Sequence, residues 1–250
     1  MSVVRRISAA PVEVQRRVRD ARSTRWDSHR TVVKAELVDA AIRAIEKCGD
    51  GVSMDDIAAE AGASKPKLYR HFGDRAGLYS AIAARLGSMI WDSAQSTLFA
   101  DTEGSSVDDL FQSSIAAYVG LVDDHPVLFR FLMTNHMFDG AQSADGNAAE
   151  QLRSVMDIVS GEFARSLRRV GADESLVTLA VASILGAGVS ATRWWIDQGR
   201  SGSVSRSLFA THILETSWGI IDGAAASVGV RFRRDVPFGD PDFARPLAGL

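Results

Sequence analysis

A chain of 250 residues, 46% hydrophobic and 24% charged, has apolar material for a small domain plus a larger one, and its composition excludes a fibrous or wholly disordered chain. The formal net charge is −3, which taken alone speaks against a nucleic-acid binder. The distribution speaks for one: residues 1–75 hold 15 Lys+Arg against 11 Asp+Glu, residues 76–250 hold 13 against 20, and all four lysines (Lys34, Lys47, Lys65, Lys67) lie in the first part.

Residues 1–30 carry eight arginines, from Arg5 to Arg30, opposed by Glu13, Asp20 and Asp27. They show no sustained apolar period and no long apolar run of a secretory signal. This segment reads as a basic, disordered arm, either solvated or tracking phosphates. From Thr31 to Cys48 the pattern turns helical, with Val33, Leu37, Ala41, Ile45 and Cys48 on one face. Cys48 is the only cysteine, so no intrachain disulfide or cysteine-based zinc site can form, and a reducing cytoplasm suits it.

After Gly49 and Gly51, the stretch Val52 to Leu78 reads as two short helices joined by a tight turn. Ser53 lies three residues before Asp56, the spacing of a capping box. Met54, Ile57, Ala58 and Ala61 place one apolar stripe on the first helix. Gly62 supplies the turn, since glycine tolerates the left-handed backbone that ends a helix. Ser64 is a second N-cap candidate, and Pro66 falls in a first turn, where a missing N–H costs little. Leu68 and Phe72 point inward and leave Lys65, Lys67, Tyr69, Arg70 and His71 on the flanks and outer face. The spacing predicts a helix-turn-helix with a basic recognition helix, held against the 31–48 helix as the third wall of its core.

Asp74 caps the next helix, which carries Leu78, Ile82, Leu86, Met89 and Ile90 at core spacing and runs to about Leu98. Further helices are expected at about 106–123, from Pro126 through VLFRFLMTNHMF, at 148–170, at 174–198 with Asp173 as cap, and at 204–228. The apolar stretch from Leu176 to Ala191 is shorter than the roughly 20 residues that span a bilayer, so a buried core helix and no membrane contact are expected. The tail from Phe232, with Pro237, Pro241 and Pro246, reads as extended or disordered. No segment alternates with period two for long, so the fold class is all-α. Its parts are an arm (1–30), a helix-turn-helix domain (31–73), a helical body (74–230) and a tail (231–250).

The stretch VSMDDIAAEAGASKPKLYRHFGDRAGLY, with IA-x-x-AG-x-S and LY-x-HF intact, resembles the TetR (tetracycline-repressor) family of transcriptional regulators over roughly residues 31–80. The resemblance implies a homodimer on a partly palindromic double-stranded operator, usually a repressor, released by a small molecule bound in the body. By position, Tyr69 matches the family's phosphate-contacting tyrosine and Ser53 caps the helix that approaches the backbone. Lys65, Pro66 and Lys67 fall where members read bases, and Arg75 replaces the more usual lysine after HF-x-x. From the chemistry of their side chains, Lys65, Lys67 and Arg70 can donate to guanine edges, while Lys34 and Ser64 sit where they fix register. His71 either contacts phosphate or supports Phe72.

The five histidines form no metal-ligand spacing, and no nucleophile elbow, Walker loop or dinucleotide fingerprint is present, so neither an enzyme nor a cofactor or metal is expected. The body offers a candidate effector site of large apolar side chains: Phe111, Tyr118, Phe129, Met133, Met137, Met156, Phe163 and Trp194. Thr134, Asn135, His136 and Arg193 are its candidate polar fixtures. Their density suits a hydrophobic or amphipathic small molecule. The 174–198 and 204–228 helices, the former with Ala182, Gly186 and Gly188 allowing close approach, are the expected dimer surface. An activator or an effector-independent regulator of the same fold is an open alternative, as is a small-molecule binding module or enzyme with secondary DNA binding.

Overall fold

The computed structural model describes residues 30–98, 104–135, 147–199, 202 and 204–247, with side chains described except at 94–98, 147–156 and 158. Of the arm expected at 1–30, residues 1–29 lie outside them, and Arg30 already belongs to the first helix. Helix α1 (30–48) buries Leu37, Val38, Ala41, Ile42 and Ile45, the face that its periodicity marks. Gly49, at φ +67°, ends it and opens a 3₁₀ turn, Gly49–Gly51. Helix α2 (Met54–Glu60) starts in a full capping box: Ser53 Oγ accepts from the Asp56 N–H at 3.2 Å and the Ser53 N–H donates to Asp56 Oδ2 at 2.9 Å. Gly62, at φ +54°, turns the chain into α3 (Lys65–Phe72), with Pro66 in its first turn and Leu68 and Phe72 buried. Ser64 occupies the N-cap position, but its hydroxyl makes no capping bond, so its expected role narrows to an extended backbone conformation.

Helix α4 (Arg75–Leu98) is capped as expected, by Asp74 Oδ1 accepting from the Gly77 N–H at 2.7 Å. A Cβ at Gly77 would sit 2.1 Å from the Phe72 carbonyl oxygen, so only glycine lets α4 fold back this closely on the end of α3. Leu78, Ile82 and Leu86 bury its inner face. The body follows as α5 (Val107–Asp124), α6 (Pro126–Thr134), α7 (Asn147–Arg169), α8 (Val177–Asp197) and α9 (Arg206–Ser227). Asp173 does not cap α8. It accepts from the Ser175 N–H at 2.8 Å, forming a turn ahead of the helix.

Two cores run through the molecule. One spans the helix-turn-helix, α4, and the near ends of α5, α6, α8 and α9 without a break, from Leu37 to Ile213. The other lies at the far end, around Phe163, Trp218, Phe232 and Phe243.

The C-terminal tail corrects the expectation of an extended or disordered segment. Strands β1 (Val230–Phe232) and β2 (Ala244–Pro246) pair antiparallel, with Arg231 opposite Arg245. Phe232, Val236, Phe243 and Ala244 are buried in the far core. The Val107 and Asp108 N–H groups, free at the start of α5, donate to the carbonyls of Val236 and Arg234 at 3.0 and 2.9 Å. Arg234 lies 4.7 Å over the Trp218 ring and donates to Asp222 at 2.7 Å. Trp218 Nε1 donates in turn to Asp108 Oδ1 at 2.8 Å. The prolines that suggested disorder stand at a turn and at a strand end, where they remove no ladder bond.

Helix α8 corrects a second expectation. Its most apolar window has a mean hydropathy of 1.3 and is only 17% buried, so it is long and apolar enough by composition to cross a bilayer and is no buried core helix. Leu179, at 62% exposure, Ala182, Ser183, Gly186, Ser190 and Trp194 line its outer side.

Candidate functional site

Two sites emerge, one at each end of the near core. At the first, α3 presents its polar face to solvent. Tyr69 is 43% exposed and Arg70 is exposed, and neither they nor Lys67 make an ion pair with the described residues. Lys65 Nζ is held 2.8 Å from Asp55 Oδ2, a hydrogen bond that raises its pKa above the ordinary lysine value. Lys34 Nζ stands 5.6 Å over the Phe72 ring, on the side of α1 next to α3. Arg75 donates to the Tyr79 hydroxyl and stacks 5.0 Å over its ring, so its guanidinium is positioned by a neighbour rather than hanging free. His71 has its Nδ1 buried without a partner among the described residues. Burial, then the charges of Arg70, Arg30, Lys67 and Lys34, holds its pKa below the ordinary value, which favours the neutral ring. The cluster is thus a positive surface carried by α3 and the adjoining starts of α1 and α4.

The second site is a cavity of about 350 Å³ inside the body. Five of the residues predicted for it line its wall: Phe111, Tyr118, Phe129, Met133 and Phe163. Four predicted residues do not. Asn135 ends α6 and donates to the Phe131 carbonyl at 2.8 Å, while Arg193 and Trp194 face solvent on α8. Thr134 is exposed as well. The helical step of about 100° explains the error at the tryptophan pair: Thr192, Trp195 and Ile196 take the inner face and push Arg193 and Trp194 outward. Trp195 stacks on Phe209 at 4.6 Å and donates to Asp123 at 3.1 Å. His136 and Met137, and the side chain of Met156, lie outside the described residues.

The sequence reading missed most of the wall. Along four turns α8 supplies Val177, Ala180, Val181, Ile184, Gly188 and Val189, and α9 supplies Ile213, Ser217 and Ile221. Gly188, expected at a dimer contact, faces inward. Phe232 of the tail closes the far end. The missed signal is the two-sided apolarity of α8, which serves a cavity on one side and an uncovered surface on the other.

Polar atoms on the wall are few. Tyr118 hydrogen-bonds Thr192 at 2.8 Å, and burial raises its pKa above the ordinary tyrosine value, so it stays a neutral phenol. Ser217 donates to the Ile213 carbonyl at 2.8 Å. Asp173 sits at the edge, held ionised by the Ser175 backbone N–H and hydroxyl. No described lining residue is basic.

A chain of contacts joins the two sites. Phe129 and Met133 of α6 face the cavity, while Phe131 of the same helix meets Tyr79 of α4 edge-on at 4.8 Å. His125, at the start of α6, bonds Glu46 of α1, and Arg85 of α4 donates to Asp39 of α1 at 3.0 Å. Among the described residues no group of three His, Cys, Asp or Glu side chains forms a metal site.

Comparison with known proteins agrees with this architecture. Residues 37–82 match the family described as bacterial regulatory proteins, tetR family. An uncharacterised HTH-type transcriptional regulator of Mycobacterium tuberculosis is 30% identical over 211 residues, covering 84% of this chain and 86% of the relative. A tetR-family regulator from Streptomyces coelicolor has the same fold, with a TM-score of 0.57 at 20% identity over 79% of this chain and 83% of that one. FadR from Bacillus subtilis, solved in complex with stearoyl-CoA, superposes with a TM-score of 0.56 at 16% identity over 73% of this chain and 96% of its own. The matched helix-turn-helix and the mycobacterial relative together show that this chain belongs to the TetR family of DNA-binding transcriptional regulators.

Proposed function

We propose that the protein is a homodimeric repressor, acting in the cytoplasm, that leaves a partly palindromic operator when a hydrophobic or amphipathic molecule fills the body. The observation that carries this reading is α6, which forms one wall of the cavity and is packed into the core of the reading head. A ligand that displaces Phe129 or Met133 acts directly on the helix whose Phe131 meets α4. Interiors packed this closely pass on a shift rather than absorb it. In this reading Lys65, Lys67 and Arg70 read bases. Tyr69, Lys34, Arg75 and His71 hold phosphates, Ser53 and Ser64 open the helices that approach the DNA backbone, and Pro66 lies with Lys65 and Lys67 in the base-reading turn.

The uncovered faces support the dimer. Ala182, Gly186 and Ser190 recur every four residues on α8, and Gly219 and Gly223 do so on α9, with open space where a Cβ would stand on each of the three glycines. Such stripes let helices cross closely, and pairing with a second copy covers Leu179, Trp194 and Leu208. It also sets two copies of α3 to read the half-sites of one operator. A solvent-facing stripe of this kind is the surface that a membrane reading of α8 would otherwise require.

The test joins sedimentation with DNA capture. The purified protein is expected to sediment as a dimer at micromolar concentration and to enrich promoter fragments from its own genome. Binding to those fragments is expected to weaken as long-chain apolar compounds are added. A monomer at that concentration would overturn the dimer and the palindromic operator with it; tighter binding on ligand addition would replace release by co-repression.

A further inference from the structure

We infer that the cavity selects a neutral, elongated apolar ligand carrying one hydrogen-bonding oxygen, and that the Ser114 hydroxyl reads this oxygen; the inference rests on the effector reading above. Ser114 lies on α5, one turn before Tyr118 and one residue from Ile115, and lines the cavity with them. Its Oγ is buried and has no hydrogen-bond partner among the described residues. The other polar groups of the wall are engaged: Tyr118 with Thr192, Ser217 with the Ile213 carbonyl, Asp173 with Ser175. A buried hydroxyl left unpaired is a cost that folding normally avoids, and helical serines commonly relieve it on a carbonyl of the preceding turn. Ser166, Ser183 and Ser217 all do so in this molecule. Ser114 does not, and its residue forms part of the wall around the space a ligand would occupy.

The charge of the wall narrows the class further. Asp173 is the ionised group at its edge, and the remaining described lining is hydrocarbon apart from the groups named. A carboxylate drawn into this space would lose its hydration and meet a like charge. A ketone, ester or alcohol oxygen loses little and gains the Ser114 hydroxyl. The same neutral carbonyl can come from a free neutral lipid or from an acyl thioester whose charged carrier stays outside.

Displacement of Nile red, a neutral apolar dye, from the full-length protein at pH 7 tests this. The competitors are 2-tridecanone, methyl laurate, tridecane, laurate and lauroyl-CoA. The ketone and the ester are expected to bind roughly tenfold tighter than tridecane and than laurate, about the worth of one buried hydrogen bond. Ser114→Ala, which removes one atom and leaves the helix intact, is expected to bring ketone and hydrocarbon within about twofold while leaving the hydrocarbon unchanged. Asp173→Asn, which keeps an acceptor for Ser175, is expected to improve laurate more than the ester. Lauroyl-CoA matching the ester assigns the oxygen to a thioester, and lauroyl-CoA binding tenfold weaker assigns it to a neutral lipid. Laurate binding as well as the ketone, or an unchanged ketone preference in Ser114→Ala, would overturn the inference and leave the effector reading standing. If the dye does not enter and no competitor binds, the effector reading falls and takes this one with it.

Discussion

The two cores of this protein are made differently, and the contrast separates its two tasks. The near core draws most of its side chains from two short spans, residues 37–86 and 119–133, where each helix presents a stripe to its sequence neighbours. It holds the helix-turn-helix rigid and ties it to α6. The far core is an aromatic cluster gathered from distant segments: Phe111, Phe163, Trp218, Phe232, Phe238 and Phe243 meet stacked, tilted or edge-on at 4.9–6.3 Å. It walls the end of the cavity that α6 does not. One core therefore positions a surface and the other shapes a space.

The largest effect expected from breaking this contrast is at Phe243, which is fully buried and lies 4.9 Å from Phe232 and 5.2 Å from Phe238. Phe243→Ala should cost about 3–5 kcal/mol, the range for removing a buried aromatic ring. Urea unfolding followed by circular dichroism measures it, and a midpoint equal to that of the wild type would show that the tail contributes nothing to the core. Truncation before Gly229 should be at least as damaging and should also lose Nile red binding, because Phe232 lines the cavity.

The matching change at the other end acts on binding and spares stability. Lys67→Ala and Tyr69→Phe should each weaken operator binding by about 1–3 kcal/mol, with thermal unfolding nearly unchanged. Loss of the Tyr69 hydroxyl should lower affinity for all DNA sequences together, whereas loss of Lys67 should also relax sequence preference. Gel shifts with operator and scrambled fragments separate the two, and parallel losses for both variants would remove Lys67 from the base-reading group.

The same contrast explains what could be read in the chain beforehand. Capping at Ser53 and Asp74, the turn at Gly62 and the stripes of α1 to α4 are local signals, and the structure reproduces them. The cavity is set by tertiary packing. Phe111, Phe129 and Phe163 were found because large apolar residues at helical spacing must face inward somewhere. Trp194 was misplaced because two adjacent tryptophans cannot share one face, and the pattern does not say which is inside. The hairpin was missed because strands of three residues are too short to show alternation, and its partners, Trp218 and Asp222, lie on α9. Ser114 carries no sequence signal at all; only its unsatisfied buried oxygen, on a residue of the cavity wall, picks it out.

A smaller effect tests how much the reading head owes to its caps. Ser53→Ala removes the hydroxyl that accepts from Asp56 N–H and leaves Asp56 with half of its reciprocal pair. A loss of about 1 kcal/mol is expected, within the range for an N-cap serine. It should appear in global unfolding, because the head shares its core with the body; a separate early transition confined to the head would contradict that continuity.

The smallest effect expected is a pH dependence from His71, and its sign follows from the buried ring. Burial and the surrounding Arg70, Arg30, Lys67 and Lys34 hold its folded pKa below the 6.5 of an unperturbed histidine. Between 6.5 and that lower value the unfolded chain binds a proton that the folded chain refuses, so folding becomes less favourable as pH falls through this window. Above 6.5 neither state carries the proton and the contribution is complete and flat. His71→Gln removes the titrating group and keeps a polar side chain of similar reach. Thermal midpoints measured from pH 7.5 down to about 5 should therefore fall more steeply for the wild type than for His71→Gln on the acid side and run parallel above neutrality. A wild type that gained stability relative to the variant on acidification would mean a folded pKa raised above the unfolded one, and with it an unrecognised acidic partner at the Nδ1 of this ring.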